Sequence, residues 1–116
     1  MDEEIARAAA PSAIEIVNNT AERRFEARFA EGLAILRYHY DPAHRLVLDH
    51  TEVPTVLRHR GIATQLAGAA LEFAGRQKLV VVPVCPFVVA YLQHHPEFDA
   101  LIRAHGGGQP STTAPE

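Results

Sequence analysis

Between Val53 and Thr64 the chain reads Val-Pro-Thr-Val-Leu-Arg-His-Arg-Gly-Ile-Ala-Thr, and its apolar spacing changes character across that stretch. Residues before it alternate as strands do, and residues after it recur at helical intervals. The fold must therefore bring a helix N-terminus to the end of a strand. The first N–H groups of a helix have no acceptor within it, so this turn suits an anion, above all a phosphate or pyrophosphate. Its core is the pattern Arg-x-x-Gly-x-Ala, Arg58 to Ala63. Gly61 has no Cβ to hold a ligand off the backbone. Ala63 keeps the next turn small, and Arg58 and Arg60 add charge matched to phosphate oxygens. Alone the pattern is weak, because a tight turn before a solvated helix looks the same. The segments on either side give it weight.

Upstream, Ala13 to Val17 alternates weakly and stops at the turn pair Asn18-Asn19. Phe25, Ala27 and Phe29 alternate with Glu26, Arg28 and Ala30 as a half-buried strand. A tight turn at Glu31-Gly32 leads into a return strand, Leu33 to Tyr40. Asp41-Pro42-Ala43-His44 turns again, and Arg45 to Val53 forms the next partner. Downstream, Ile62, Leu66, Ala69, Ala70 and Phe73 mark one face of a helix from Gly61 to about Gln77. Leu79 to Val84 is a short apolar strand suited to burial on both faces. Strand, helix and strand make a right-handed crossover, so this strand runs parallel to the one ending at Val53. Pro86 opens a helix to about His94, and Glu97 to Ala104 forms a last short one. The expected class is α+β: an antiparallel meander of about four strands closed by one parallel pair that a central helix joins.

A chain of 116 residues with 47% apolar and 22% charged residues suits one soluble domain. Its bounds are expected at 13–104. Residues 1–12 and 105–116 read as disordered tails, the latter rich in Gly, Pro, Ser and Thr. A net charge of −3, with arginines interleaved among acids, argues against nucleic-acid binding. No apolar run approaches the ~20 residues of a membrane span. Met1-Asp2-Glu3-Glu4 carries acids where a signal peptide carries positive charge, and the single Cys85 allows no internal disulfide. A cytoplasmic protein is expected.

Four segments stand in order along this framework. They are His50-Thr51-Glu52-Val53-Pro54, Arg58 to Ala63, Cys85-Pro86-Phe87 and His95-Pro96-Glu97-Phe98. Together they resemble the GCN5-related N-acetyltransferase superfamily, in particular its small single-domain branch, over roughly Ile14 to Ile102. Larger members usually place two helices between the first two strands, where only Thr20 to Arg24 stand here. The resemblance implies binding of acetyl-CoA and transfer of its acetyl group to an amine, on a small molecule or on a protein lysine or N-terminus. It implies that the turn of Arg58, His59, Arg60, Gly61, Ile62, Ala63 and Thr64 takes the CoA pyrophosphate. The pantetheine arm would lie along Thr51, Glu52 and Val53 as a missing strand. It also points to Tyr91 as the group that protonates the departing CoA thiolate, although the spacing from Pro86 is shorter than usual and a core tyrosine fits as well.

Two further groups have chemistry of their own. Cys85 sits at a helix N-cap, where the dipole favours a thiolate. It reads as an acyl-accepting nucleophile, as a group polarising the thioester, or as a small buried hydrophobe. His50 and Glu52 share one strand face, where either can relay a proton or simply satisfy a hydrogen bond. His94 and His95 diverge around their helix, so no metal is expected, and Lys78 reads as a solvated loop charge. The functions to separate are an acetyltransferase, a CoA-binding module with little turnover, and an adaptor that binds no CoA.

Overall fold

The computed structural model describes residues 14–103. Both segments read as tails, and the outermost residues of the expected domain, 13 and 104, lie outside them. The elements are β1 (Val17–Asn19), β2 (Arg24–Phe29), β3 (Gly32–Tyr40) and β4 (Leu46–Glu52), then a 3-10 turn (Thr55–Leu57) and α1 (Ile62–Gln77). They continue with β5 (Val81–Pro83), α2 (Pro86–Gln93), a second 3-10 turn (Pro96–Phe98) and α3 (Asp99–Arg103). One sheet carries the strands in the order β1-β2-β3-β4-β5, antiparallel except for the parallel pair β4–β5. This is the expected α+β architecture, with α1 as the crossover.

Alternation along the strands decides which face is covered. Phe25 and Ala27 on β2, Leu36 and Tyr38 on β3, and Leu46 and Leu48 on β4 are buried on one face. Ile62, Leu66, Ala70 and Leu71 of α1 complete the same cluster, and α2 adds Val88 and Leu92. Each fully buried leucine among them contributes ~1.5–3 kcal/mol.

Several local expectations are corrected. Asn18 and Asn19 are not a turn but the end of β1, because both side chains find partners across the sheet. Asn18 Oδ1 accepts the Tyr38 hydroxyl at 2.7 Å, and Asn19 donates to Glu26 at 2.9 Å. The turn follows at 20–23, with Arg23 at φ +55°. The hairpin turns at Ala30 and Glu31, and Gly32 is already in β3. β5 is shorter than Leu79 to Val84. The Leu79 N–H closes α1 by bonding the Ala74 carbonyl, with Lys78 left-handed before it. At the other end Val84 is exposed. The final helix begins as a 3-10 turn, a short geometry that apolar spacing does not signal. Glu26, expected to face water, is 7% exposed. Arg24 Nε lies 2.6 Å from its carboxylate and Arg28 3.7 Å, and these partners replace the lost water.

Candidate active site

β4 is bent at the point where it leaves β5. The β3–β4 register pairs Arg37 with His50 but Tyr38 with Leu48, so Asp49 is an extra residue in β4. Such a bulge bends the strand and increases its twist. The Asp49 carboxylate is tied to His39 Nδ1 at 2.7 Å. The parallel ladder with β5 ends at the same place, at Leu48 opposite Pro83. There the N–H groups of Val84 and Cys85 both donate to the Leu48 carbonyl, at 3.1 and 3.0 Å, and turn the chain into α2. Among the described residues, β4 beyond Leu48 keeps β3 on one edge and has no strand on the other.

A cavity of about 490 Å³ opens beside this edge, within the usual range for ligand pockets. Thr51 and Val53 of β4 line it, together with Arg58, His59, Gly61, Ile62, Ala63 and Thr64. These are eight of the residues expected to hold CoA. Leu57 and Phe87 line it as well. Neither was anticipated: Leu57 enters on the 3-10 turn, and Phe87 enters because α2 starts at the same opening. The Cys-Pro-Phe pattern was the available signal for Phe87.

The N-terminus of α1 meets this cavity uncapped. Its first ladder bond runs from the Gln65 N–H to the Gly61 carbonyl, 3.1 Å. The N–H groups of Ile62, Ala63 and Thr64 precede that bond; among the described residues no side chain caps the helix, and no acid stands in its first turn. Gly61 has φ +77°, and a Cβ there would meet no protein atom within 4 Å. Within the protein, then, glycine is favoured by backbone conformation rather than by packing. His59 also has positive φ, +66°, a cost for a side chain with a Cβ. Arg58 Nε donates to the Val53 carbonyl at 3.3 Å, fastening the turn to the end of β4. Arg58, His59 and Arg60 are exposed at the opening.

Cys85 is the N-cap residue of α2, as expected, and is 3% exposed. Its sulfur lies 3.3 Å from Thr51 Oγ1, so the thiol is in contact with a residue that lines the cavity. The remaining candidates stand apart from the cavity wall. His50 and Glu52 do share a face, with Nε2 and Oε2 3.1 Å apart, but the pleat turns them away from Thr51 and Val53. Arg60 is exposed beside the lining rather than in it. Tyr91 packs toward α1, with its hydroxyl 3.0 Å from where a Cβ on Gly68 would sit. Its ring stacks on His95 at a centroid distance of 3.9 Å. Burial raises its pKa, and the Glu97 and Glu72 charges add to the shift, so the phenol keeps its proton. Among the described residues no group of three His, Cys, Asp or Glu side chains is placed to hold a metal ion. None of their helices is long and apolar enough to cross a membrane.

Comparison with known proteins agrees with this architecture. The profile of the GCN5-related N-acetyl-transferase family matches residues 24–101. Protein NATD1 of Mus musculus is 34% identical over 100 residues, covering 79% of this chain and 91% of that protein. Protein NATD1 of Xenopus tropicalis is 33% identical over 87 residues, covering 73% and 80% respectively. Protein NATD1 of Homo sapiens is 34% identical over 85 residues, covering 72% and 75%. A bulged β4 parting from β5 beside an uncapped, glycine-led helix thus belongs to a chain that is a member of the GCN5-related N-acetyltransferase family.

Proposed function

We propose that the protein transfers the acetyl group of acetyl-CoA to a primary amine. The observation that carries this reading is the cavity between the free edge of β4 and the uncapped start of α1. An extended pantetheine arm can supply the missing strand at that edge, since unpaired backbone groups seek partners. The pyrophosphate then meets the N–H groups of Ile62, Ala63 and Thr64, with Arg58, His59 and Arg60 around it. The thioester end lies toward Thr51 and Cys85, close to the opening of α2.

In the reaction the amine nitrogen attacks the thioester carbonyl carbon. A C–N bond forms and the C–S bond breaks. The substrate ammonium gives up two protons in all, one to the CoA sulfur and one to solvent. His50 and Glu52 are the groups that receive a proton on the acceptor side, directly or through water. Tyr91 keeps a proton at neutral pH and donates one to the leaving thiolate if the arm reaches its hydroxyl. Cys85 lines the thioester without being acetylated. The setting is the cytoplasm.

A second reading, a CoA-binding module with little turnover, draws support from His50, Glu52 and Tyr91 all standing outside the cavity wall. Release of CoA thiol with a panel of amines, set beside CoA binding by calorimetry, separates the two. Binding without product selects the module, and no binding selects an adaptor. Paired variants test the socket itself. Gly61→Ala strains the backbone by about 1 kcal/mol. Gly61→Glu adds an anion at the pyrophosphate position and should weaken CoA at least tenfold further, about 1.4 kcal/mol. Equal CoA affinity in these two variants, both folded by circular dichroism, would remove the socket.

A further inference from the structure

We propose that the acceptor is a small primary amine whose own skeleton carries a carboxylate or phosphate, and that Arg37, with Arg24, holds that anion. This rests on the transferase reading above. The described helices contribute their buried apolar residues to one cluster, on one face of the sheet. On the other face, strand register aligns residues in rows. Asn19, Arg24, Arg37 and His50 stand opposite one another across β1 to β4. The adjacent row is Val17, Glu26, Ile35 and Glu52.

The first row holds an uncompensated charge. Arg24 and Arg37 are direct cross-strand neighbours, an arrangement that destabilises a sheet when both carry the same charge. Both carboxylates of the second row are already engaged: Glu26 by Arg24 at 2.6 Å and by Arg28 at 3.7 Å, and Glu52 by His50 at 3.1 Å. Arg37 is exposed and makes no ion pair or hydrogen bond among the described residues. A bound anion would turn this repulsion into a two-guanidinium clamp, the geometry best matched to carboxylate and phosphate.

The row also ends at the right place. His50, one strand spacing (about 5 Å) from Arg37, lies just past the bulge where β4 leaves β5. Its partner Glu52, 3.1 Å away, supplies negative charge for an ammonium. An amine resting at His50 and Glu52 therefore has an anion site about 5–10 Å away, over Arg37 and Arg24. A diamine of similar length would place a second cation there. The carboxylate or phosphate takes no part in bond making; it fixes the nitrogen for attack on the thioester.

The test compares three amines of one length: 6-aminohexanoate, hexylamine and 1,6-diaminohexane. With acetyl-CoA, CoA thiol release should show kcat/KM for 6-aminohexanoate roughly tenfold or more above both others, the scale of one charge-assisted contact. Arg37→Gln should cut that preference to less than about threefold, with CoA affinity held, whereas Arg76→Gln at the far end of α1 should preserve it. Equal or better turnover of hexylamine or the diamine overturns the proposal, as does an Arg37→Gln loss of equal size for all three. If CoA binds and no amine is acetylated, the transferase reading has failed. Calorimetry then reads the site alone: 6-aminohexanoate binding to the CoA-loaded protein, weakened by Arg37→Gln, supports it, and absence of binding overturns it.

Discussion

Cys85 and Thr51 show how one contact can separate two mechanisms. The thiol is buried, bonded toward the Thr51 hydroxyl and held at the first turn of α2. Removing it leaves a small void and frees a hydroxyl that the cavity can hydrate. Cys85→Ala should therefore cost about 1 kcal/mol in urea unfolding and leave CoA binding nearly intact. It should also retain substantial transfer activity. Complete loss of transfer, together with an acetylated wild-type cysteine in intact-mass spectra lacking acceptor, would establish a covalent route instead. Glu26 supports a prediction in pH. The hydrogen bond from Arg24, then that from Asn19, lowers its pKa below the ordinary 4.5. A lowered folded pKa means a stabilisation present above that value and lost as pH falls through the folded pKa. Glu26→Gln should thus be least stable relative to wild type near neutral pH, and the gap should close as pH falls below 4.5 and through the lowered folded pKa. A gap that stays constant through the acid range would show that the carboxylate is not held in this way.

Elements were legible where one spacing governed many residues. The strands of the hairpin and the sixteen residues of α1 repeat their period often enough to be read from spacing alone. The turn at Arg58 to Thr64 was legible because a glycine stood at the junction of two periods. Short pieces were not, since three residues of 3-10 turn at Thr55–Leu57 carry no period. Nor was the role of Asn18, Asn19 and Glu26, whose partners lie on other strands. The outward turn of His50 and Glu52 followed from the pleat, but only once the register had shown which face is covered. Packing between α1 and α2 was equally hidden, and it yields a prediction. A Cβ on Gly68 would lie 3.0 Å from the Tyr91 hydroxyl and 3.8 Å from its Cζ. In an open helix Gly→Ala gains up to about 1 kcal/mol. Here Gly68→Ala should destabilise wild type, because Tyr91 is also fixed by its stack on His95. In a Tyr91→Phe background the obstructing oxygen is gone, and the same change should stabilise. The sign reversal is read from a double-mutant cycle in urea; the same sign in both backgrounds would show that the two helices do not meet through this contact.

At the scale of the whole molecule, binding and stability should be one property. Among the described residues, β4 ends without a strand on one edge and α1 begins without a side-chain cap, and both face the cavity. Polar backbone groups left in this way are satisfied by water in the free protein and by ligand in the complex. CoA should therefore join β4 to α1 and raise the stability of the entire domain, not only order a loop. A ligand at a hundred times its Kd adds ~2.7 kcal/mol. For a domain of this length that corresponds to a Tm increase of roughly 10–20 °C. Pantetheine alone, which lacks the pyrophosphate, should give a much smaller shift at equal concentration. So should CoA added to Gly61→Glu, while Arg37→Gln should respond to CoA as wild type does, because its guanidinium lies on the other face of the sheet. A full shift from pantetheine would place the affinity in the β4 edge alone. No shift from CoA at millimolar concentration would leave the fold without its proposed ligand and the adaptor reading in its place.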